Sequence, residues 1–205
     1  MSIIGVDEAG RGPLFGRVYS AAVILPSEES NFDLSLIKDS KKFSSSKKIK
    51  EVAKYIKDHA LYWEIGYCSE KIIDKKNIRE ATFTSMHIAI RNILSKVDPL
   101  NITLHIDGNG FNPLFYFHNN KFIEIPHTCI IGGDNIDKSI GAASILAKVA
   151  RDEYIEEMCS IYPELIERYD LLNNKGYGTK KHREGIYKYG LSNWHRESFK
   201  LKKQN

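Results

Sequence analysis

Residues 3–13 read Ile3-Ile4-Gly5-Val6-Asp7-Glu8-Ala9-Gly10-Arg11-Gly12-Pro13, an apolar strand that runs straight into two adjacent acids and a glycine-rich turn. Adjacent carboxylates repel, and partial burial strengthens the repulsion, so such a pair needs either a cation or open solvent. A divalent metal resolves the conflict, and hard oxygen ligands suit Mg²⁺ or Mn²⁺. The plainer alternative is a polar strand end whose two acids stand in water. A strict pleat aims Asp7 and Glu8 at opposite faces. A shared site therefore requires the turn to bend the chain at Glu8.

Outward from this strand, Val18 to Leu25 is again apolar and β-branched, which predicts an antiparallel hairpin with the first strand. Ser44 to Ala60 carries Ile49, Val52, Ala53, Ile56 and Ala60 at helical spacing, and Leu61 to Tyr67 reads as a third strand. A helix is expected over Asn77 to Lys96, with Phe83, Met86, Ile90 and Leu94 on one face. Ile102 to Asp107 alternates as a strand, and Phe122 to Ile125 is a further short one. The longest helical pattern runs from Asp137 to Ile161, where Gly141-Ala142-Ala143-Ser144 permits close backbone approach. Pro163 opens a shorter helix to about Leu172, and Lys180 to Tyr189 is helical in a basic tail. Strands followed by alternating helices and strands give an α/β fold with a mixed β-sheet flanked by helices. No repeat or linker divides residues 1–205, so one domain with a basic C-terminal segment is expected.

No apolar run approaches the roughly 20 residues needed to span a bilayer, and no signal peptide is evident, so no membrane association is expected. Cys68, Cys129 and Cys159 are odd in number and widely spaced, which predicts reduced thiols and an intracellular, cytoplasmic protein. From Lys175 to Asn205 nine Lys or Arg face two Glu, whereas the whole chain nets only +4, so the remainder is slightly acidic. A second basic cluster spans Lys38 to Lys50. Two positive patches on an acidic body suit a polyanionic partner, although solvated lysine-rich faces would look the same.

Two further acids join the opening pair. Asp107 closes an apolar strand and precedes Gly108, repeating the pattern of Val6-Asp7. Asp134 lies in Ile130-Ile131-Gly132-Gly133-Asp134-Asn135, just before the long helix, where a cap is the alternative role. Asp7, Glu8, Asp107 and Asp134 together form a four-carboxylate set consistent with two cations about 3.5–4 Å apart on a phosphate. The histidines lack metal-ligand spacing, and no Ser/His/Asp nucleophile set emerges.

The motifs IIGVDEAGRGP, DSKKFS, NIREATFTSM, HIDGN, GGDN, SIGAASILAKVARD, NKGYGT and GLSNWHRESF occur in the order found in ribonuclease HII, and the chain resembles that family over nearly its whole length. The resemblance implies a ribonuclease H-like fold and a two-metal endonuclease, using Mg²⁺ or Mn²⁺, that acts as a monomer on RNA/DNA hybrids and on DNA duplexes containing ribonucleotides. It implies nicking 5′ to the ribonucleotide, and a role in removing ribonucleotides from DNA. Asp7, Glu8, Asp107 and Asp134 match the family's metal-binding carboxylates. Gly10, Arg11 and Gly12 match its reader of the 2′-hydroxyl, the group that distinguishes RNA from DNA. Tyr177 matches its junction-sensing tyrosine. Lys41, Lys42, Lys148 and His195-Arg196 are candidates for phosphate contact, or else surface cations and internal ion pairs. The sequence departs from the family after Leu14, where Phe15-Gly16-Arg17 replaces the familiar Ala-Gly-Pro. A related nuclease such as a junction resolvase, and an inactive hybrid-binding module, are the rival readings; the GRG and KGYGT motifs and the four acids weigh against them.

Overall fold

In the computed structural model, which describes residues 1–27, 30–38, 40 and 43–201, a five-stranded sheet has the order β3-β2-β1-β4-β7. Its strands are β1 (Ser2–Ala9), β2 (Val18–Ile24), β3 (Tyr62–Cys68), β4 (Ile102–Asp107) and β7 (His127–Ile130). The expected hairpin is present: β1 pairs antiparallel with β2, and β2 with β3. On the other side β1 pairs parallel with β4, and β4 with β7, so the sheet is mixed. A separate two-stranded ribbon joins β5 (Phe115–His118) to β6 (Lys121–Glu124).

The pleat sorts the core into two layers. Ile4 and Val6 of β1 and Ala22 and Ile24 of β2 pack against α3 (Ile78–Leu94), through Phe83, Met86, Ala89, Ile90 and Ile93. Ala21 and Val23 face the opposite way, towards α1 (Ser46–His59) and α5 (Lys138–Ile161). On that second face α5 crosses β1 at Gly5, where a methyl group would stand 2.1 Å from the Ser139 carbonyl carbon. The small-residue run Gly141 to Ser144 lies in the same buried turns of α5. The residues from Ile4 to Asp7 thus alternate: Ile4 and Val6 towards α3, Gly5 and Asp7 towards α5.

Several elements differ from expectation. A helix α2 (Glu70–Lys76) precedes α3, and Asn77, at φ 71°, ends one and caps the other by accepting from the Glu80 N–H at 3.1 Å. The stretch after Pro163 splits into α6 (Glu164–Tyr169) and α7 (Leu171–Asn174), because Asp170 is left-handed at φ 56°. A short α4 (Gly133–Ile136) stands before α5, and α8 (Lys180–Tyr189) matches its expected bounds. The three cysteines are free thiols. Among the described residues no helix is long and apolar enough to cross a membrane.

Candidate active site

β1 and β4 are parallel neighbours, with Val6 opposite Ile106, so Asp7 and Asp107 leave the sheet side by side at its carboxyl end. Clefts at that end of a parallel pair are the natural ligand sites of open α/β sheets. No bend occurs at Glu8: β1 stays paired to β2 through Glu8 opposite Ser20 and Ala9 opposite Tyr19. The expected bend is therefore replaced by a cleft that wraps around the strand end. Its α5 side, about 230 Å³, is lined by Asp7, Asp107, Asp134, Lys148, Arg151 and Tyr177; its α3 side, about 400 Å³, by Arg11, Arg79 and Asn109. Glu8 and Asp107 line both sides.

The electrostatics follow from this crowding. Asp7 is 5% exposed. Burial, then the neighbouring Glu8 and Asp107 charges, pushes its carboxyl well above the usual range, against weaker help from Ser144 and from the Glu8 N–H at 2.6 Å. Glu8 is also raised by burial, offset in part by the Arg11 guanidinium, which donates to Glu8 Oε1 at 3.3 Å. Asp107 accepts from the Gly133 N–H at 2.7 Å, which ties β4 to the segment carrying Asp134. Asp134 does not cap the long helix. That role belongs to Asp137, which accepts from the N–H groups of Ser139 and Ile140 and is itself held by His105 at 2.6 Å.

This donor set fits a hard divalent cation, because three mutually repelling carboxylates meet at the adjacent ends of β1 and β4 and Asp7 has no cationic partner in contact among the described residues. Among the described residues no three Asp, Glu, His or Cys side chains form a ready-made metal cage; the carboxylates meet as a cleft lining.

The turn after β1 closes the cleft. Gly10 has φ 95°, a conformation that favours glycine. A methyl group on Gly12 would lie 3.5 Å from the Tyr177 ring, so loop and tyrosine face each other. Tyr177 is 49% exposed, and the Arg151 guanidinium lies 5.9 Å from its ring. Arg151, which the sequence reading passed over, is a buried cation with Nε unpartnered. Its signal was available in the spacing of Ser144, Lys148 and Arg151, one stripe of α5 that lines the cleft. Lys148 lies in the cleft but is paired with Asp152 at 2.7 Å.

The phosphate contacts expected of His195 and Arg196 are not made, since His195 is 2% exposed and buried beneath the turn. Arg196 does not reach the cleft: it is 1% exposed and donates to the carbonyls of Gly10, Arg11, Pro13, Gly16 and Arg17, so it supports the turn from behind. Arg17, at the departure from the family pattern, lies over the rings of Tyr67 and Tyr154, and Phe15 is fully buried. Lys41 and Lys42 lie outside the described residues.

Comparison with known proteins places this arrangement. Residues 4–202 match the family described as Ribonuclease HII. The chain belongs to the ribonuclease HII family. The ribonuclease HII of Parabacteroides distasonis is 45% identical over 197 residues, covering 96% of this chain and 89% of that protein. The ribonuclease HII of Bacteroides thetaiotaomicron is 43% identical over 199 residues, covering 96% and 88%. Among solved structures, the ribonuclease H2 of Pyrococcus horikoshii OT3 aligns with a TM-score of 0.74 at 23% identity, covering 97% of this chain and 94% of that one. The RNase HII of Archaeoglobus fulgidus, solved in its complex with PCNA, aligns equally well at 22% identity, covering 100% and 98%. Bst-RNase HIII in complex with Mn²⁺ gives 0.66 at 15% identity, covering 91% and 70%. The fold is the ribonuclease H-like α/β fold, and this ribonuclease HII family member is a ribonuclease H.

Proposed function

We propose that this enzyme cuts the RNA-containing strand of RNA/DNA hybrids and nicks duplex DNA on the 5′ side of an embedded ribonucleotide, and so removes ribonucleotides from DNA as a cytoplasmic monomer. The observation that carries the reading is the convergence of Asp7, Glu8 and Asp107 beside a glycine turn that faces Tyr177. Asp7, Glu8, Asp107 and Asp134 would hold Mg²⁺ or Mn²⁺. When bound, the ions supply neutralisation of the phosphate charge and a lowered pKa for the attacking water.

The chain's own groups do the rest. Water adds to phosphorus and the bond to the 3′-oxygen breaks, leaving 3′-hydroxyl and 5′-phosphate ends. The peptide groups of Gly10 to Gly12 hydrogen-bond the 2′-hydroxyl, which glycine permits by close backbone approach. The Tyr177 ring packs on the neighbouring sugar and holds the strand in line. Lys148 meets phosphate in the cleft, with Lys41 and Lys42 as further candidates. No protein nucleophile is required, so no covalent intermediate forms.

The test is gel mapping of end-labelled duplexes that differ in a single 2′-hydroxyl. A site built around a hydroxyl rejects the analogue lacking it by about 10⁴–10⁵, so only the ribonucleotide duplex should be nicked, once, on its 5′ side. Comparable cutting of the all-DNA duplex would overturn the reading.

A further inference from the structure

Arg196 is among the most enclosed charges in the described structure, and its burial has no stabilising ion pair among the described residues. A guanidinium has five N–H donors. All five are used: Nε to Gly16 at 2.8 Å, Nη1 to Arg11 at 3.0 Å and Pro13 at 2.8 Å, Nη2 to Gly10 at 2.6 Å and Arg17 at 3.1 Å. A buried cation held by five carbonyls, with the Phe199 ring 5.0 Å from its guanidinium, is a costly way to stabilise a fold, since apolar residues of similar volume often do as well. The arrangement does something apolar packing cannot. In a planar trans peptide the C=O and the following N–H point opposite ways. Drawing the Gly10 and Arg11 carbonyls back onto Arg196 turns the N–H groups of Arg11 and Gly12 away from it, on the side where Gly10 lines the cleft and Gly12 faces Tyr177.

The preceding residue reaches the other half of the same site. His195 is buried, its Nδ1 accepting from the Ser192 N–H at 2.9 Å, so its proton sits on Nε2. That Nε2–H donates to His182 Nε2 at 2.9 Å, and the His182 Nδ1–H donates to the Tyr177 carbonyl at 2.9 Å. The backbone adds two ties, Arg196 N–H to Leu14 carbonyl and Leu14 N–H to Gly176 carbonyl, both at 2.8 Å.

We propose that His195 and Arg196 are positioning residues for the ribonucleotide-dependent cut: Arg196 aims the peptide groups of the Gly10–Gly12 turn, and His195, through His182, sets Tyr177 opposite them. The inference rests on the reading that this turn binds the 2′-hydroxyl. Neither residue touches substrate. Their loss should therefore spare duplex affinity and strike turnover, since a displacement of about 1 Å costs on the order of 10²-fold.

The experiment uses the full chain with Mg²⁺ and three variants, Arg196→Lys, Arg196→Gln and His195→Asn, each checked for fold by circular dichroism and thermal melting. The expected result is a fall of about 10²-fold in kcat on the single-ribonucleotide duplex, with Kd for the all-DNA duplex within about threefold of wild type. Lysine should not rescue, because it keeps the charge but not the planar fork. Wild type that cuts all-DNA duplex freely would remove the 2′-hydroxyl reading and this inference together. Wild type that is selective, with folded variants of near-normal kcat, would overturn the positioning role alone. Loss of fold in all three would also overturn it, since the segment would then support the whole domain and not aim the turn.

Discussion

Gly10 is pressed against Arg151: a methyl group on Gly10 would stand 2.3 Å from Arg151 Nε and 2.4 Å from its Cδ. The same residue has φ 95° and gives its carbonyl to Arg196, so it is confined between two buried arginines. Gly12, two residues on, has only an ordinary contact with the Tyr177 ring. Gly10→Ala should therefore destabilise the fold by about 1–3 kcal/mol and abolish most activity, through backbone strain and displacement of Arg151. Gly12→Ala should leave stability within about 0.5 kcal/mol while lowering activity on the ribonucleotide duplex. Urea unfolding of both variants measures the contrast; equal losses would show that the strain at Gly10 is not what confines the turn.

Asp7 makes metal binding visible as stability. Its carboxyl is raised by burial and by Glu8 and Asp107, so its favourable contribution is present below the unfolded carboxylate pKa and lost as pH rises through the higher folded value. At neutral pH without metal the folded wild type bears the cost of burying that carboxyl among Glu8 and Asp107, and Asp7→Asn removes it. The variant should melt a few degrees higher, at about 2–4 °C per kcal/mol for a chain of this size. Added Mn²⁺ or Mg²⁺ should raise the wild-type midpoint and leave that of the variant nearly unmoved. An unchanged metal-free midpoint would mean that Asp7 is relieved by other means.

Asp134→Asn separates the ligand role from a structural one. The residue caps neither α4, whose preceding residue is Gly132, nor α5. Stability should therefore change by less than about 0.5 kcal/mol, while Mg²⁺-dependent turnover falls by orders of magnitude. Near-normal turnover by the folded variant would remove Asp134 from the ligand set.

The His195 ring should impose an acid limit on stability. Burial first, then the adjacent His182, pushes its pKa down from 6.5 to about 4. The unfolded chain takes up a proton there before the folded one does, so this contribution is whole above pH 6.5 and drains as pH falls towards 4. The full loss is on the order of 3 kcal/mol. The stability gap between wild type and His195→Asn should thus narrow across that window, read from chemical denaturation at successive pH values. A gap independent of pH would show that the ring is not held neutral.

Lys148 supplies a test of the cleft as the nucleic-acid surface. Each phosphate neutralised contributes about −0.9 to the slope of log affinity against log salt. Lys148→Ala should make that slope shallower by about one such increment, with Asp152 left unpaired and the overall fold retained. An unchanged slope would leave Lys148 as an internal partner of Asp152.

Much of this molecule is legible in its sequence because the relevant physics is local. The β1–β2 hairpin, the core faces of α1 and α3, and the bounds of α8 follow from hydrophobic period and cap residues within one segment. Asp7, Glu8 and Asp107 stand out because an acid ending an apolar strand is a local conflict that needs a remedy. Short strands such as β5 and β7 carry too few alternations to register, and α2, only seven residues long, spans too few turns to show a helical period. The bend expected at Glu8 was unnecessary, because two faces of one sheet meet at its edge and a cleft can wrap that edge. The sequence by itself determined the fold class, the acidic set and the glycine turn. Only the tertiary structure decided what the arginines do. A cation in a basic tail looks the same whether it meets phosphate or protein, and the Arg196 partners lie about 180 residues away in the chain. Its side chain goes where five carbonyls already converge, since a buried guanidinium is tolerated only where every donor is satisfied.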